Sequence, residues 1–424
     1  MTKNDKERAL IPKLRFPEFQ GEPAWTHMRL DRLSKRVTQK NTDERITRVL
    51  TNSAERGLLN QREYFDKDIA TKGSLNRYYI VENGDFVYNP RISAAAPVGP
   101  LSRSNIDLGV ISPLYTVFRF EQAETDFYEH YFKSTAWHSY LRNVSSTGAR
   151  HDRMSVANAD FMRMPVPTPH ENEQQKIADC LGALDDLIAA ERRKLAALRD
   201  HKQGLMQQLF PREGETRPRL RFPEFQGAGD WEVCAVGNIA KIFKGKGVAK
   251  ADIVAGGLTP CIRYAELYTT YGEVITDIKS YTDVSVSALV LSETEDVIIP
   301  ASGETKADIA TCACVASAGV ALGSDLNVLR SKVDGRFLSY YLNGVKRPEL
   351  AKVAQGDTVA HLYQAQISQL TVAIPTDAKE QRVIADCLST IDGQISVKVA
   401  KLNALRTHKH GLMQQLFPAS DSAV

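Results

Sequence analysis

The side chains that most often carry chemistry are scattered along this 424-residue chain. Nine histidines occur without metal-ligand spacing, and no Gly-x-Ser-x-Gly elbow is present. Of the six cysteines (Cys180, Cys234, Cys261, Cys312, Cys314 and Cys387), only Cys312 and Cys314 are close neighbours. No second Cys/His pair follows them at ligand spacing, so buried free thiols are expected rather than zinc. The Gly-x-Gly of KIFKGKGVAK (Lys241–Lys250) is not a phosphate loop, because no Lys-Ser/Thr follows it. What remains is positive charge on loops. The candidates are Lys35, Arg36, Lys40, Arg91, Arg150, His151 and Arg153 in the first half, and Lys241, Lys244, Lys246, Lys250 and His361 in the second. These side-chain types suit phosphates and base edges, although most loop Arg and Lys are simply solvated.

The elements that must position these residues are written twice. LRFPEFQG occupies Leu14–Gly21 and again Leu220–Gly227, each followed by a tryptophan, Trp25 or Trp231. IADCL recurs at Ile177–Leu181 and Ile384–Leu388, and HKQGLMQQLFP (His201–Pro211) returns as HKHGLMQQLFP (His408–Pro418). The offset is 206 at the start of each half and 207 at its end. Between these frames, residues 26–161 and 232–370 share little identity. One scaffold thus carries two modules of one type with different tasks.

From Glu173 to Leu209 apolar residues keep a heptad seam: Ile177, Leu181, Leu184, Ile188, Leu195, Leu198, Leu205 and Leu209. The second copy places Ile384, Leu388, Ile391, Ile395, Leu402, Leu405, Leu412 and Leu416 in the same order. Phe-Pro ends both helices, since proline cannot continue them. Glu191 interrupts the first seam where the second has Lys398, as expected if each neutralises the other. Lys202 and Lys409 match each other and are expected to snorkel to water. A helix of 37 residues is about 55 Å long. The nine-residue PREGETRPR linker spans at most about 30 Å, and a block of this size is roughly 38 Å across. Those lengths favour antiparallel helices, with LRFPEFQG of the first half docked near the end of the second helix.

The blocks read as mixed α/β, with strands over Tyr78–Val81, Phe86–Asn89, Val110–Phe120, Ala288–Leu291 and Val297–Pro300. Helices are expected over Asp126–Val144 and Phe337–Val345, their aromatics forming core. Residues 1–168 hold 25 Lys/Arg against 20 Asp/Glu, and residues 212–375 hold 17 against 19. The first block can therefore attract phosphate with its bulk field, whereas the second needs a local patch. Composition is that of an ordinary globular protein, and no apolar run is long enough for a membrane span. The polar start, MTKNDKERALIPK, lacks the apolar core of a signal peptide, so a cytoplasmic location is expected. Asn89-Pro90-Arg91 lacks the second proline and the base-stacking aromatic of adenine methyltransferases and reads as a turn.

The order block, helix, block, helix resembles the specificity subunit of type I restriction–modification enzymes. The resemblance is carried by LRFPEFQG with its Trp, GDFVYNP (Gly84–Pro90), VISPLYTVF (Val110–Phe118), PVPTPHENEQQKIADCL (Pro165–Leu181), AIPTDAKEQRVIADCL (Ala373–Leu388) and both GLMQQLFP endings. It implies two target recognition domains related by a pseudo-two-fold axis and separated by two long antiparallel coiled-coil helices. The expected divisions are 1–168 (with a polar tail, 1–13), 169–211, 212–375 and 376–424. It further implies double-stranded DNA as ligand, each domain reading one half of an asymmetric bipartite site. Two copies of an adenine methyltransferase subunit and restriction/motor subunits are the implied partners, with no membrane. This chain is expected to be non-catalytic and to bind no cofactor; S-adenosylmethionine, and ATP and Mg for cleavage, belong to the partners. A tandem-domain coiled-coil scaffold without a DNA role is the competing reading. A self-sufficient methyltransferase is a third, and it predicts S-adenosylmethionine binding by this chain alone.

Overall fold

The computed structural model describes residues 10–64, 75–122, 125–146, 152–356 and 360–418. It divides into two compact units, one of residues 1–190 with 401–424, the other of residues 191–400. The division falls inside two long helices, Glu171–Leu209 and Ala378–Leu416. Each contributes one stretch to each unit.

In the first unit the central sheet has four antiparallel strands, in the order Ser34–Arg36, Thr116–Phe120, Phe86–Tyr88, Leu101–Arg103. The strand Thr116–Phe120 buries all its residues except Arg119. Thr26–Arg29 pairs antiparallel with Pro165–Thr168, which joins the start of the block to its exit. The core is aromatic: Phe86 stacks on Phe118, and Tyr88 on Phe161. Ile177 and Leu181 of the first long helix, and Met413, Leu416 and Phe417 at the end of the second, complete that core.

The second unit repeats the plan with a larger sheet. Its five strands run Ala240–Lys244, Leu326–Ser331, Asp296–Pro300, Ala313–Val315, Val274–Ile275, the last pair parallel. Asp296–Pro300 is buried throughout, as a central strand covered on both faces should be. Glu232–Ala235 pairs with Thr371–Ile374 just as the equivalent strands do in the first unit. Leu209 at the end of the first long helix and Phe210 just after it, with Ile384, Ala385 and Leu388 of the second, close this core.

Three expected elements differ. The helix over Asp126–Val144 is two helices, Asp126–Lys133 and His138–Val144. Ser134 ends the first: its hydroxyl donates to Tyr131 O at 2.6 Å and accepts Ala136 N–H at 3.2 Å, bonds that compete with helix continuation. The strand over Val110–Phe120 is likewise two strands, Leu108–Ile111 and Thr116–Phe120. Pro113 has no N–H for a ladder, and Tyr115 N–H turns back to Ser112 O. The stretch Ala288–Leu291 is no strand. A short 3-10 turn covers Val286–Ala288, and Leu291 makes one isolated bridge to Ala321.

Candidate nucleic-acid interface

Two buried ion-pair devices recur in both units. Arg15 grips Glu173 through Nε and Nη2 at 2.8 and 2.7 Å. Arg221 grips Glu380 in the same bidentate way, 2.7 Å at each contact. Both glutamates are 1% exposed, and each guanidinium's pKa is raised by its bond to the carboxylate. The octapeptide also docks on the end of a long helix in each unit. Leu14 N–H donates to Gln415 O at 3.1 Å, and Leu220 N–H to Gln208 O at 2.9 Å.

The second device lies inside the blocks. Asp85 accepts Arg119 Nε and Nη2 at 2.6 and 3.0 Å and Glu82 N–H at 2.8 Å. Asp296 accepts Arg330 Nε and Nη2 at 3.0 and 2.8 Å and Glu293 N–H at 2.8 Å. The carboxylate fixes the turn entering one central strand and ties it to the neighbouring strand. Neither pair was visible as a match in sequence, since GDFVYNP and EDVIIP share little. An acidic residue just before an apolar strand was the available signal.

Each of these seam residues is buried or half-buried: Ile177, Leu181, Leu184, Ile188, Glu191, Leu195, Leu198 and Leu205 in the first helix, and Ile384, Leu388, Ile391, Ile395, Lys398, Leu402, Leu405 and Leu412 in the second. Within the second unit Glu191 Oε2 meets Lys398 Nζ at 2.8 Å, and Lys202 Nζ meets Asp392 Oδ1 at 2.7 Å. Rising numbers on one segment meet falling numbers on the other, the order of segments running in opposite directions. In the first unit Lys409 Nζ meets Asp185 Oδ1 at 2.5 Å. Lys202 and Lys409 therefore do not snorkel. Lys202 is buried, bonded also to Glu273 at 2.8 Å, with its ammonium over the Tyr340 ring. Acceptors from both the helix and the block outweigh the reach to water.

The basic candidates separate by what they touch. Lys35 is exposed and engaged by Glu121. Arg36 is half-buried, its Nε without a partner among the described residues. Lys40 is exposed on a bridge to Tyr79. Arg91 and Arg153 are brought together by a backbone bridge, both near Asp152, at 3.9 and 3.7 Å. Arg150 and His151 lie outside the described residues. Asn89 accepts Arg91 N–H at 3.0 Å, the turn that this tripeptide suggested. Lys241, Lys244, Lys246 and Lys250 are all exposed, and no ion pair engages them among the described residues. His361 is exposed, faces the Tyr363 ring, and pairs across its strand with Ser302.

Among the described residues no group of three or more His, Cys, Asp or Glu could hold a metal ion. All six cysteines are free thiols, and burial pushes the pKa of Cys312 and Cys314 up, which leaves both thiols protonated. No described helix is long and apolar enough to cross a membrane.

The family model of the type I restriction modification DNA specificity domain matches residues 46–200 and again 228–407. The chain belongs to this specificity family. It is similar to the putative type I restriction enzyme MjaX specificity subunit of Methanocaldococcus jannaschii, 23% identical over 272 residues, covering 62% of this chain and 61% of the relative. A second relative, the type I restriction enzyme MjaVIII specificity subunit of the same organism, is 21% identical over 66% of each chain. The chain thus spans just under two thirds of either relative's length. Among solved structures, the type I restriction–modification S subunit from M. genitalium shares the fold at a TM-score of 0.57, with 14% identity, covering 97% of this chain and 100% of that one. A chain solved in work on complex assembly and conformational transition of the type I R-M system gives 0.53 at 18% identity, with 94% and 98% covered.

Proposed function

We propose that this specificity subunit reads one asymmetric bipartite DNA site, each block recognising one half-site. The recognition domains would be residues 1–168 and 212–375, with 169–211 and 376–424 as helical spacers forming a pseudo-two-fold antiparallel coiled coil. The observation that carries the reading is the duplicated frame. Arg15–Glu173 and Arg221–Glu380 make the same contacts, while the blocks they anchor differ in sequence and in sheet size. A repeated frame offers one surface twice, which suits two identical partners; two divergent blocks suit two different DNA sequences. The partners would be two DNA adenine methyltransferase subunits, which carry S-adenosylmethionine, and restriction/motor subunits that use ATP and Mg. Double-stranded DNA would be held by loop Arg, Lys and His, phosphate contacts setting the register and base edges the specificity.

Modification sequencing of host DNA, with and without this gene, tests the reading. The expected result is a gene-dependent methylated motif of two short halves around a fixed gap. A methylation pattern indifferent to the gene would overturn it.

A further inference from the structure

The second unit contains a concavity of about 450 Å³, bounded by Gly247–Asp252, Arg263–Tyr264 and Gly323–Asp325. Its backbone is pinned. Ser324 donates to Gly247 O from both its N–H and its hydroxyl, at 3.1 and 3.0 Å, and Lys246 N–H donates to Leu322 O at 2.8 Å. Gly245 passes so close that a Cβ would lie 2.2 Å from Gly323 O. The chain then turns through φ values of 77° at Gly247 and 56° at Val248. Glycine accepts this region freely, but a β-branched residue there is an outlier that its surroundings must enforce. They do: the Val248 side chain is buried against Cys261 and Ala321.

This turn leaves two donors idle. The N–H groups of Gly247 and Val248 have no acceptor among the described residues. Val248 is only 5% exposed, and backbone N–H groups at buried positions are rarely left unpaired. Successive N–H groups in a left-handed turn form concavities that bind anions. Lys250 and Arg263 line the same space, and neither is engaged in an ion pair among the described residues. Asp252 is turned onto Ala249 N–H at 2.7 Å, and Asp325 stands in the wall. Two cations against two carboxylates, with exposed Lys244 and Lys246 beside them, suit a singly charged phosphodiester better than a polyphosphate.

We infer that this concavity seats one backbone phosphate of the DNA, with Gly247 and Val248 N–H donating and Lys250 and Arg263 pairing. The inference rests on the DNA reading proposed above. It makes the turn a register contact that is blind to sequence.

The test uses the full chain and duplexes carrying its methylated motif, with affinity measured across a salt series. The double variant Lys250→Gln/Arg263→Gln should reduce the slope of log K against log salt by about 0.9, each single variant by a part of that, and all should leave the ratio of target to non-target affinity unchanged. Lys250 is exposed, so K250Q keeps the fold, as a wild-type melting curve would verify. In duplexes with a single neutral methylphosphonate, one position should weaken the wild type and have a much smaller effect in the double variant. An unchanged slope in both variants overturns the phosphate seat. A shift in half-site preference also overturns it, because the pocket would then read bases. A wild-type chain that binds its motif only through loops insensitive to both variants sinks this inference alone, whereas one that binds no DNA at any salt sinks the DNA reading as well.

Discussion

The two junctions between block and frame use the same frame residues but are bonded differently. In the first unit, Phe127 meets Trp25 at 5.9 Å and Phe417 at 5.5 Å; in the second, Phe337 meets Trp231 and Phe210, each at 5.6 Å. Three residues further along, the first unit has His130 and the second Tyr340. Tyr340 donates its hydroxyl to Asp392 at 2.6 Å, in a network with Lys202 and Glu273. His130 is buried with Nδ1 unpartnered, 3.9 Å from Asp185. Trp231 Nε1 donates to Glu380 at 3.2 Å, whereas Trp25 Nε1 has no partner among the described residues. The frame is held constant as a mechanical part, and each block satisfies the junction in its own way. The second junction is the better bonded.

The largest effect should come from breaking the buried clamps. Glu380→Ala leaves Arg221 buried without its carboxylate, a loss of about 3–5 kcal/mol. Glu173→Ala should cost about 1 kcal/mol less, because only Glu380 also serves a tryptophan N–H. Chemical-denaturation midpoints of the two variants check the difference, and equal losses would erase the claimed asymmetry.

Next come the seams. Leu198→Asp and Leu405→Asp each put an unpaired carboxylate into an apolar seam, at a cost of several kcal/mol. Melting and solubility measurements should show both variants impaired to a similar degree, since these positions belong to the repeated part. Wild-type behaviour in either would count against paired helices.

Acid should separate the units. Burial, with Lys409 and Lys133 nearby, holds the His130 pKa down at about 4; burial and Arg142 do the same for His138. Asp185 and Glu129 oppose the shift at His130 but do not cancel it. An unfolded histidine titrates near 6.5. Above that pH both states are neutral and the fold keeps its full stability. As pH falls from about 6.5 through about 4, the unfolded chain takes protons that the folded chain refuses, and up to about 3 kcal/mol is lost at His130, with less at the half-buried His138, where solvent screens the effect. Both groups belong to the first unit. Melting curves at pH 7.5 and 5 should show the loss, and His130→Tyr, which copies the second unit, should remove the larger part of it. An undiminished acid loss in that variant would remove His130 from the account.

The smallest expected effect is at Lys35, whose exposed pairing with Glu121 is screened by solvent. Lys35→Gln should leave the melting midpoint unchanged, with any effect confined to DNA affinity.

Repetition decided what could be read from sequence. Arg15, Glu173, Arg221 and Glu380 lie in the duplicated phrases, and the Glu191–Lys398 pair followed from matching two seams. The Asp85–Arg119 and Asp296–Arg330 pins stayed hidden because their partners are 34 residues apart within divergent blocks. The buried pairing of Lys202 and Lys409 is not legible in sequence, because their acceptors, Asp392 and Asp185, sit on the other helix at positions outside the apolar seam. The breaks at Ser134 and Pro113 come from local side-chain and proline effects that apolar periodicity does not register. The turn at Gly247–Val248 is not legible in sequence, because the left-handed conformation of Val248 is imposed by tertiary packing, not by its own residue type.

The central claim is that one repeated frame holds two independent readers apart, and it is tested most directly by lengthening the first helix. Four residues inserted after Ala196 extend a helix by about 6 Å while nearly preserving its face. They also shift the heptad, so some activity should be lost. Mapping the methylated motifs made by the insertion variant should show both half-site sequences unchanged and only the gap altered, by about one or two base pairs given a base-pair rise of about 3.4 Å. A changed half-site with an unchanged gap would contradict the account.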